Sequence, residues 1–115
     1  MWAINRVEYG ELRLESGHAA EAESIFQSAD PPIRRGLELN PHDATILEVR
    51  ASQLAGLAQA AQTLGHHADA RQKIRQCVDV VSDMIQRDAS VKSYITKYDK
   101  ILALAKRLDV PTKLR

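Results

Sequence analysis

The stretch that decides the fold is SGHAAEAESIF at residues 16–26, because LGHHADARQKI at residues 64–74 repeats its layout 48 positions later. Each stretch holds a glycine followed by a histidine, then a small alanine and, one helical turn farther on, a large apolar residue. A single glycine in such a place is typical of the turn that ends one helix before the next begins. Both stretches are therefore predicted to join two consecutive helices.

The spacing of apolar residues along the rest of the chain predicts an all-α fold with about five helices. Apolar residues recur every three or four positions, and no stretch alternates apolar and polar residues between hairpin turns. Pro31 and Pro32 should interrupt the second helix, with Asp30 as N-cap and Pro31 as the first residue of a second, kinked segment, and Asp43 is the expected N-cap of the third helix. The helices are expected over residues 2–16, 18–39, 44–64, 67–87 and 91–108.

Apolar stripes indicate which side chains of these helices form the core. The bent segment should contribute Ile33, Leu37 and Leu39. The fourth helix should contribute Ala70, Ile74, Cys77, Val78, Val81 and Ile85. The last helix should contribute Val91, Ile95, Tyr98, Leu102 and Ala105. With few aromatic residues available, we expect a core of small and aliphatic side chains in closely packed helices.

The shift of 48 positions between the two stretches, here called the repeat spacing, also relates apolar positions inside the helices. The matched pairs are Ala22 and Ala70, Phe26 and Ile74, Ala29 and Cys77, Ile33 and Val81, Leu37 and Ile85, Leu47 and Ile95, and Leu54 and Leu102. A helical hairpin that cannot bury its apolar face alone must stack on a neighbouring hairpin. We therefore interpret residues 1–115 as a single helical-repeat domain with units at about 1–42 and 43–90 and a half unit at 91–110. Coincidence is the alternative explanation, since there are only two full copies.

Three stretches, GHAAEAESIF, GHHADARQKI and LELNPHDATIL, resemble the tetratricopeptide repeat (TPR) family, in particular its longer-helix variants. The first two look like the family's glycine turn with the small alanine of its second helix, and Pro41 stands where the family has a proline between repeats. The resemblance covers roughly residues 10–105 and implies antiparallel α-hairpins stacked as a fragment of a right-handed α-solenoid. The unit of this chain is longer than the family's unit of about 34 residues, and the family's Trp, Leu-Gly and Tyr are not reproduced. A related α-hairpin repeat is therefore an alternative.

The resemblance implies a non-catalytic protein–protein interaction module that acts as a scaffold. The uncovered first helix, described below, favours a fragment of a larger, bacterial regulatory or signalling protein, with a homodimer as the alternative. In the family, the first helix of each unit lines a concave groove. Carried over to this chain, the groove positions are Thr45, Glu48 and Ser52, and the repeat spacing adds Ser93, Thr96 and Lys100. The family's clamp for a C-terminal carboxylate uses Lys and Asn, where this chain has Glu48 and Ser52. The expected partner is therefore a protein or peptide segment with a charge pattern of its own.

The distribution of charge leaves two alternatives open. Residues 1–58 carry five basic and nine acidic side chains (net −4), whereas residues 59–115 carry eleven and six (net +5), although the whole chain has a net charge of +1. Such asymmetry can direct head-to-tail contacts or give the basic half an acidic partner, and the alternative is two solvated helix faces that differ in charge by chance. Trp2, Ile4 and Val7 have no preceding helix to cover them, which favours a homodimer through the first helix or membership of a longer polypeptide. Nucleic-acid binding by the basic half is disfavoured, because Asp88, Asp99 and Asp109 dilute its positive charge.

No motif indicates catalysis, a metal or a cofactor. His66 and His67 are adjacent and would diverge on a helix, whereas zinc-binding histidines on a helix are usually four residues apart. The single cysteine, Cys77, falls on an apolar stripe, and the five glycines form no phosphate-binding loop. The chain also lacks a signal peptide and a run of about 18 apolar residues, so we expect a cytoplasmic protein with no membrane contact.

Overall fold

The chain folds into helices joined by short turns. The computed structural model describes residues 2–88 and 93–110, with the backbone alone for residues 93–98. Within these residues no strand occurs, which confirms the all-α class predicted from the sequence. The six helices described are α1 (Trp2–Glu15), α2 (Ala19–Ser28), α3 (Asp30–Leu39), α4 (Ala44–Thr63), α5 (His67–Arg87) and α6 (Ser93–Arg107). Only Ala29 separates α2 from α3, close to the interruption of the second helix that the prolines predict.

Helix α4 is the centre of the fold because it is apolar or small on nearly all sides. On one side, Val49 and Leu57 pack with buried residues of α1, α2 and α3. On another side, Ala51, Leu54 and Ala58 pack with α5 and α6. A helix buried around its circumference needs apolar residues all round, and α4 has ten buried positions. Asp43 begins α4 as predicted, because its Oδ1 accepts a hydrogen bond of 3.1 Å from the Ile46 backbone N–H.

Three helices end in the same hydrogen-bonded turn. Gly17 and Gly65 have φ angles of +82° and +83°, and the next residues, His18 and His66, donate their backbone N–H to the carbonyls five positions earlier. This is the Schellman motif, in which a residue with positive φ satisfies the last carbonyls of a helix. Asp109 (φ +57°) ends α6 in the same way, and this third turn was not predicted. The histidine pair of the second turn therefore belongs to the start of α5.

The break between α2 and α3 differs from the prediction. Asp30 is the first residue of α3 and not its N-cap, because Ala29, with helical φ and ψ, keeps α3 continuous with α2. The Asp30 carboxylate instead pairs with Arg34 and with Arg50 of α4. Gln53, the one buried polar residue of the described core, donates its Nε2 to the Phe26 carbonyl at 2.9 Å. A side chain of α4 thus satisfies a carbonyl at the end of α2.

A single aromatic ring joins α1, α2 and α4. Phe26 of α2 is fully buried, and its ring lies against Gly10 of α1 and Gly56 of α4. A Cβ atom added at Gly10 would stand 2.7 Å from Phe26 Cε1, and one added at Gly56 would stand even closer to the ring. The two glycines therefore allow both helices to approach Phe26.

Some apolar positions differ from the predicted stripes. In α6, Leu102 is only half-buried, whereas Ile101, Leu104, Ala105 and Leu108 are buried. Leu39, expected in the core, is 89 % exposed, because it is the last residue of α3. Val7 is buried within the chain, although no helix precedes α1 among the described residues. Val91 and the side chains of Ile95 and Tyr98 lie outside the described residues.

Which face of α6 is buried depends on which helices lie beside it. Leu102 lies one repeat spacing after Leu54, which packs α4 against the following helix, α5. No helix follows α6 in the part of the chain that is described, so the equivalent face of α6 stays partly open. The face that is buried contains Ile101 and Ala105, which lie one repeat spacing after Gln53 and Leu57. In both helices this face packs on helices that come earlier in the chain.

Candidate partner-binding groove

An open groove with a volume of about 510 Å³ lies between α1, α4 and α6. Its lining from α1 consists of Glu11, Leu14 and Glu15, and that from α4 of Glu48, Ala51, Ser52, Ala55, Gly56 and Gln59. Its lining from α6 consists of Lys100, Ile101, Ala103, Leu104 and Arg107. Val81 and Met84 of α5 are buried and lie at its base.

The groove exists because the third face of α4 carries small side chains. Ala51, Ser52, Ala55 and Gly56 occupy this face, and none of them reaches far from the helix backbone. Helix α1 joins the apolar cluster on one side of α4, and α6 joins the cluster on the other side. The two outer helices therefore form walls on either side of a shallow, small-residue floor.

The two walls carry opposite charges. Glu11 and Glu15 stand on the α1 wall, whereas Lys100 and Arg107 stand on the α6 wall. Within the residues described, Glu15 forms no salt bridge with Lys100 or with Arg107. The charge asymmetry between the two halves of the sequence thus becomes a charge difference across one groove.

The structure brings together three of the six predicted groove residues. Glu48, Ser52 and Lys100 all line the groove. Thr45 is exposed on the first turn of α4 and is not among the lining residues. Ser93 and Thr96 lie in α6, but their side chains are outside the described residues.

Sequence reasoning missed three groove residues that are related by the repeat spacing. Glu11, Gln59 and Arg107 are separated from one another by successive repeat spacings, and all three line the groove. The repeat spacing that relates Ser52 to Lys100 also relates Gln59 to Glu11 and to Arg107, so the sequence contains the information that identifies them. The groove positions that the family resemblance implies on α4 end at Ser52, in the first half of the helix.

The buried cysteine has a structural role in this arrangement. Cys77 is fully buried, and its Sγ donates a hydrogen bond of 3.2 Å to the Ala51 carbonyl. Burial raises the pKa of the thiol to about 12, so it stays protonated near neutral pH. A nucleophilic cysteine needs the opposite, a lowered pKa and access to solvent. The predicted burial of Cys77 is confirmed.

The sequence also raised the histidine pair, a metal site, a membrane span and the basic second half as candidate features. His67 Nδ1 lies 2.7 Å from Gln62 Oε1, across the turn between α4 and α5. No cluster of three or more His, Cys, Asp or Glu side chains suited to a metal ion occurs among the described residues. None of the helices described combines the length and the apolar character that a bilayer crossing requires. Of the basic residues in the second half of the chain, Arg87 pairs with Asp83, whereas Lys92, Lys113, Arg115 and the side chain of Lys97 lie outside the described residues.

Comparisons of the chain with protein-family models, with curated proteins and with solved structures gave no match.

Proposed function

We propose that this chain is a non-catalytic, TPR-like interaction module whose groove binds a segment of another protein. The observation that carries the proposal is the lining of the groove. Helices α1, α4 and α6 are the first helices of the three predicted units, and all three contribute side chains to it. A stack of hairpins places its first helices on one face, where they form an extended concave surface.

The burial pattern supports stacked hairpins. Three pairs of positions related by the repeat spacing are fully buried in both copies, namely Ala22 and Ala70, Phe26 and Ile74, and Ala29 and Cys77. Leu37 and Ile85 are half-buried in both copies. The smallest dimension of the described fold is 21 Å, which corresponds to about two helix diameters of 10–12 Å each.

The contacts between α4 and α5 support an antiparallel pair. Leu47 near the start of α4 packs with Met84 near the end of α5. Farther along, Ala51 accepts the hydrogen bond of Cys77. Residue numbers therefore rise along α4 as they fall along α5, which is the pattern of a hairpin that reverses at Gly65.

A peptide selection with a blocked groove tests the proposal. Random peptides of about 20 residues, displayed on phage, are selected on the immobilised protein. Ala103→Trp then places a bulky ring in the groove from an exposed position on α6. Ala20→Trp makes the same substitution at an exposed position of α2 that does not line the groove.

We expect Ala103→Trp to weaken binding of the selected peptides by at least about tenfold, because about 1.4 kcal/mol of lost contacts changes a dissociation constant by that factor. Ala20→Trp should leave the affinity unchanged. The double variant Glu48→Lys with Lys100→Glu should also weaken binding without loss of helix content. A selection that yields no binder, or binders unaffected by Ala103→Trp, would contradict the proposal.

Self-association through α1 is a second candidate function, favoured by one observation. Tyr9 and Leu12 are 43 % and 58 % exposed, although the positions one repeat spacing later, Leu57 and Ala60, are buried. The face of α1 that carries them is equivalent to the face of α4 that packs on the preceding helices. A second copy covering this face would give a dimer in a concentration series measured by light scattering, and Leu12→Glu would convert that dimer to a monomer. A monomer at all concentrations would exclude this candidate.

A further inference from the structure

The charges on the walls of the groove indicate which charged side chains a bound segment should carry. Glu11, Gln59 and Arg107 are related by the repeat spacing and line the groove from α1, α4 and α6, respectively. Their side chains are acidic on α1, neutral on α4 and basic on α6. Glu15 adds a second acid to the α1 wall, and Lys100 adds a second base to the α6 wall. A bound segment therefore meets opposite charges at its two edges.

The floor of the groove favours a helical occupant over an extended one. An extended peptide presents backbone N–H and C=O groups that need hydrogen-bond partners, whereas a helix satisfies its own. Between the two walls, α4 contributes polar side chains at Glu48, Ser52 and Gln59, and the rest of its lining is alanine and glycine. The small residues Ala51, Ala55 and Gly56 also allow the close approach of a second helix axis, since interaxial distance depends on the side chains at the contact.

We infer that the groove binds an amphipathic α-helix that has one acidic edge, one basic edge and an apolar strip between them. The inference rests on the proposed function of the groove and specifies its partner. The acidic edge would lie against Lys100 and Arg107, which are two helical turns, or about 10 Å, apart along α6. Acidic residues at positions i and i+7 of the partner match that distance. The basic edge would lie against Glu11 and Glu15, one turn apart on α1, which basic residues at i and i+4 match.

Three designed peptides of about 18 residues provide the test. All three share the same leucine-rich strip and the same length, and only their edges differ. One peptide has an acidic and a basic edge, the second has two acidic edges, and the third has two basic edges. Only one of the two directions along the groove places the acidic edge of the first peptide against the basic wall, and the peptide is free to adopt that direction. Binding is measured by fluorescence anisotropy at low salt, where exposed charges are least screened.

The wild-type protein should bind the mixed-edge peptide at least about fivefold more tightly than either other peptide, the factor expected when exposed charge pairs change from repulsive to attractive. Lys100→Glu with Arg107→Glu makes both walls acidic, so the peptide with two basic edges should become the tightest ligand. The matched control is Arg71→Glu with Arg75→Glu, which changes the net charge equally on exposed positions of α5 outside the groove. This control should keep the wild-type order of affinities.

The outcomes separate the inference from the function on which it rests. Equal affinities for the three peptides, all abolished by Ala103→Trp, would overturn the charge pattern and leave the groove as a binding site. Binding that Ala103→Trp does not affect would overturn both. Absence of binding by all three peptides, while peptides selected from the random library do bind the groove, would also overturn the inference. A proline placed at the centre of the mixed-edge peptide should weaken binding at least about tenfold by breaking the helix, and unchanged affinity would contradict a helical occupant.

Discussion

At the residue scale, two glycines allow helices to pack closely against Phe26. Its ring is in contact with two helices at once, and at both contacts the neighbour is a glycine, Gly10 or Gly56. In an isolated helix either glycine would be unfavourable relative to alanine by about 1 kcal/mol. Their presence is explained by the space that the ring requires.

Replacing Gly56 with alanine should therefore destabilise the fold despite the gain in helix propensity. The new Cβ would overlap the Phe26 ring, and overpacking of this kind costs about 1–3 kcal/mol of the free energy of unfolding. Urea denaturation measures the loss. Phe26→Leu in the same chain should reduce the cost of Gly56→Ala, which a double-mutant cycle detects.

Gly36→Ala is the matched control for this substitution. A Cβ at Gly36 meets only the flexible end of the Ile46 side chain, at 2.6 Å from Cδ1. Because that end can rotate away, Gly36→Ala should be close to neutral. Equal destabilisation at positions 36 and 56 would contradict the account of Phe26.

The carboxylate of Asp30 is partly buried and pairs with Arg34 and Arg50. Partial burial opposes its ionisation, but the hydrogen bonds and positive charges of Arg50 and Arg34 outweigh this effect, so the pKa of Asp30 lies below its ordinary value of 3.8. A carboxylate with a lowered pKa in the folded state stabilises that state fully above the ordinary value. This stabilisation is lost as the pH falls through the lowered pKa.

Asp30→Asn should consequently lower the free energy of unfolding by about 1–2 kcal/mol near neutral pH, where the charge-assisted hydrogen bonds are intact. As the pH falls below the ordinary value of 3.8 and through the lowered pKa, the wild-type carboxylate becomes protonated, so the difference between the two proteins should shrink. Urea unfolding of both proteins at neutral and acidic pH provides the measurement. A difference that does not depend on pH would show that the charge of Asp30 contributes nothing.

At the scale of the element, the three Schellman turns determine where α1, α4 and α6 end. Glycine occupies the residue with positive φ in two of them, and Asp109 occupies it in the third. Positive φ costs a residue with a Cβ atom roughly 1–2 kcal/mol, although aspartate tolerates it better than most. The third turn is therefore the strained one.

Asp109→Gly should raise the free energy of unfolding by up to about 1 kcal/mol, and Gly65→Ala should lower it by about the same amount. A Cβ at Gly65 would meet no atom within 4 Å, so only the backbone conformation is tested there. Thermal denaturation of the two variants and the wild type gives the comparison. A loss of stability in Asp109→Gly would contradict the assignment of the third turn.

The sequence predicted most helix ends to within two residues, because glycines and the capping Asp43 determine them locally. It did not predict the role of Asp30, since nothing local reveals that Arg50 and Gln53 of α4 reach this side chain. It also did not reveal that Leu102 would stay partly open, because burial of that face depends on whether a helix follows. Local signals thus predict where a helix begins and ends, whereas the choice of its buried face depends on its neighbours.

At the scale of the whole molecule, one spacing relates the fold to its candidate function. The repeat spacing relates the glycine turns of α1 and α4, the buried residues of α2 and α5, and lining residues of the groove. The sequence was sufficient to predict Glu48, Ser52 and Lys100 as groove residues, because they follow from the comparison with the family and from that spacing. The opposition of an acidic and a basic wall required the structure, since it depends on α1 and α6 standing on opposite sides of α4.

The measurement that tests the central claim most directly is an NMR titration of the protein with a peptide selected from the random library. Binding in the groove predicts that amide and methyl resonances of Ala51, Ala55 and Ala103 shift, whereas those of exposed residues on α2 and α5, such as Ala20 and Ala68, do not. Shifts confined to the outer faces of α2 and α5, with the groove alanines unchanged, would contradict the claim that α1, α4 and α6 form the binding surface.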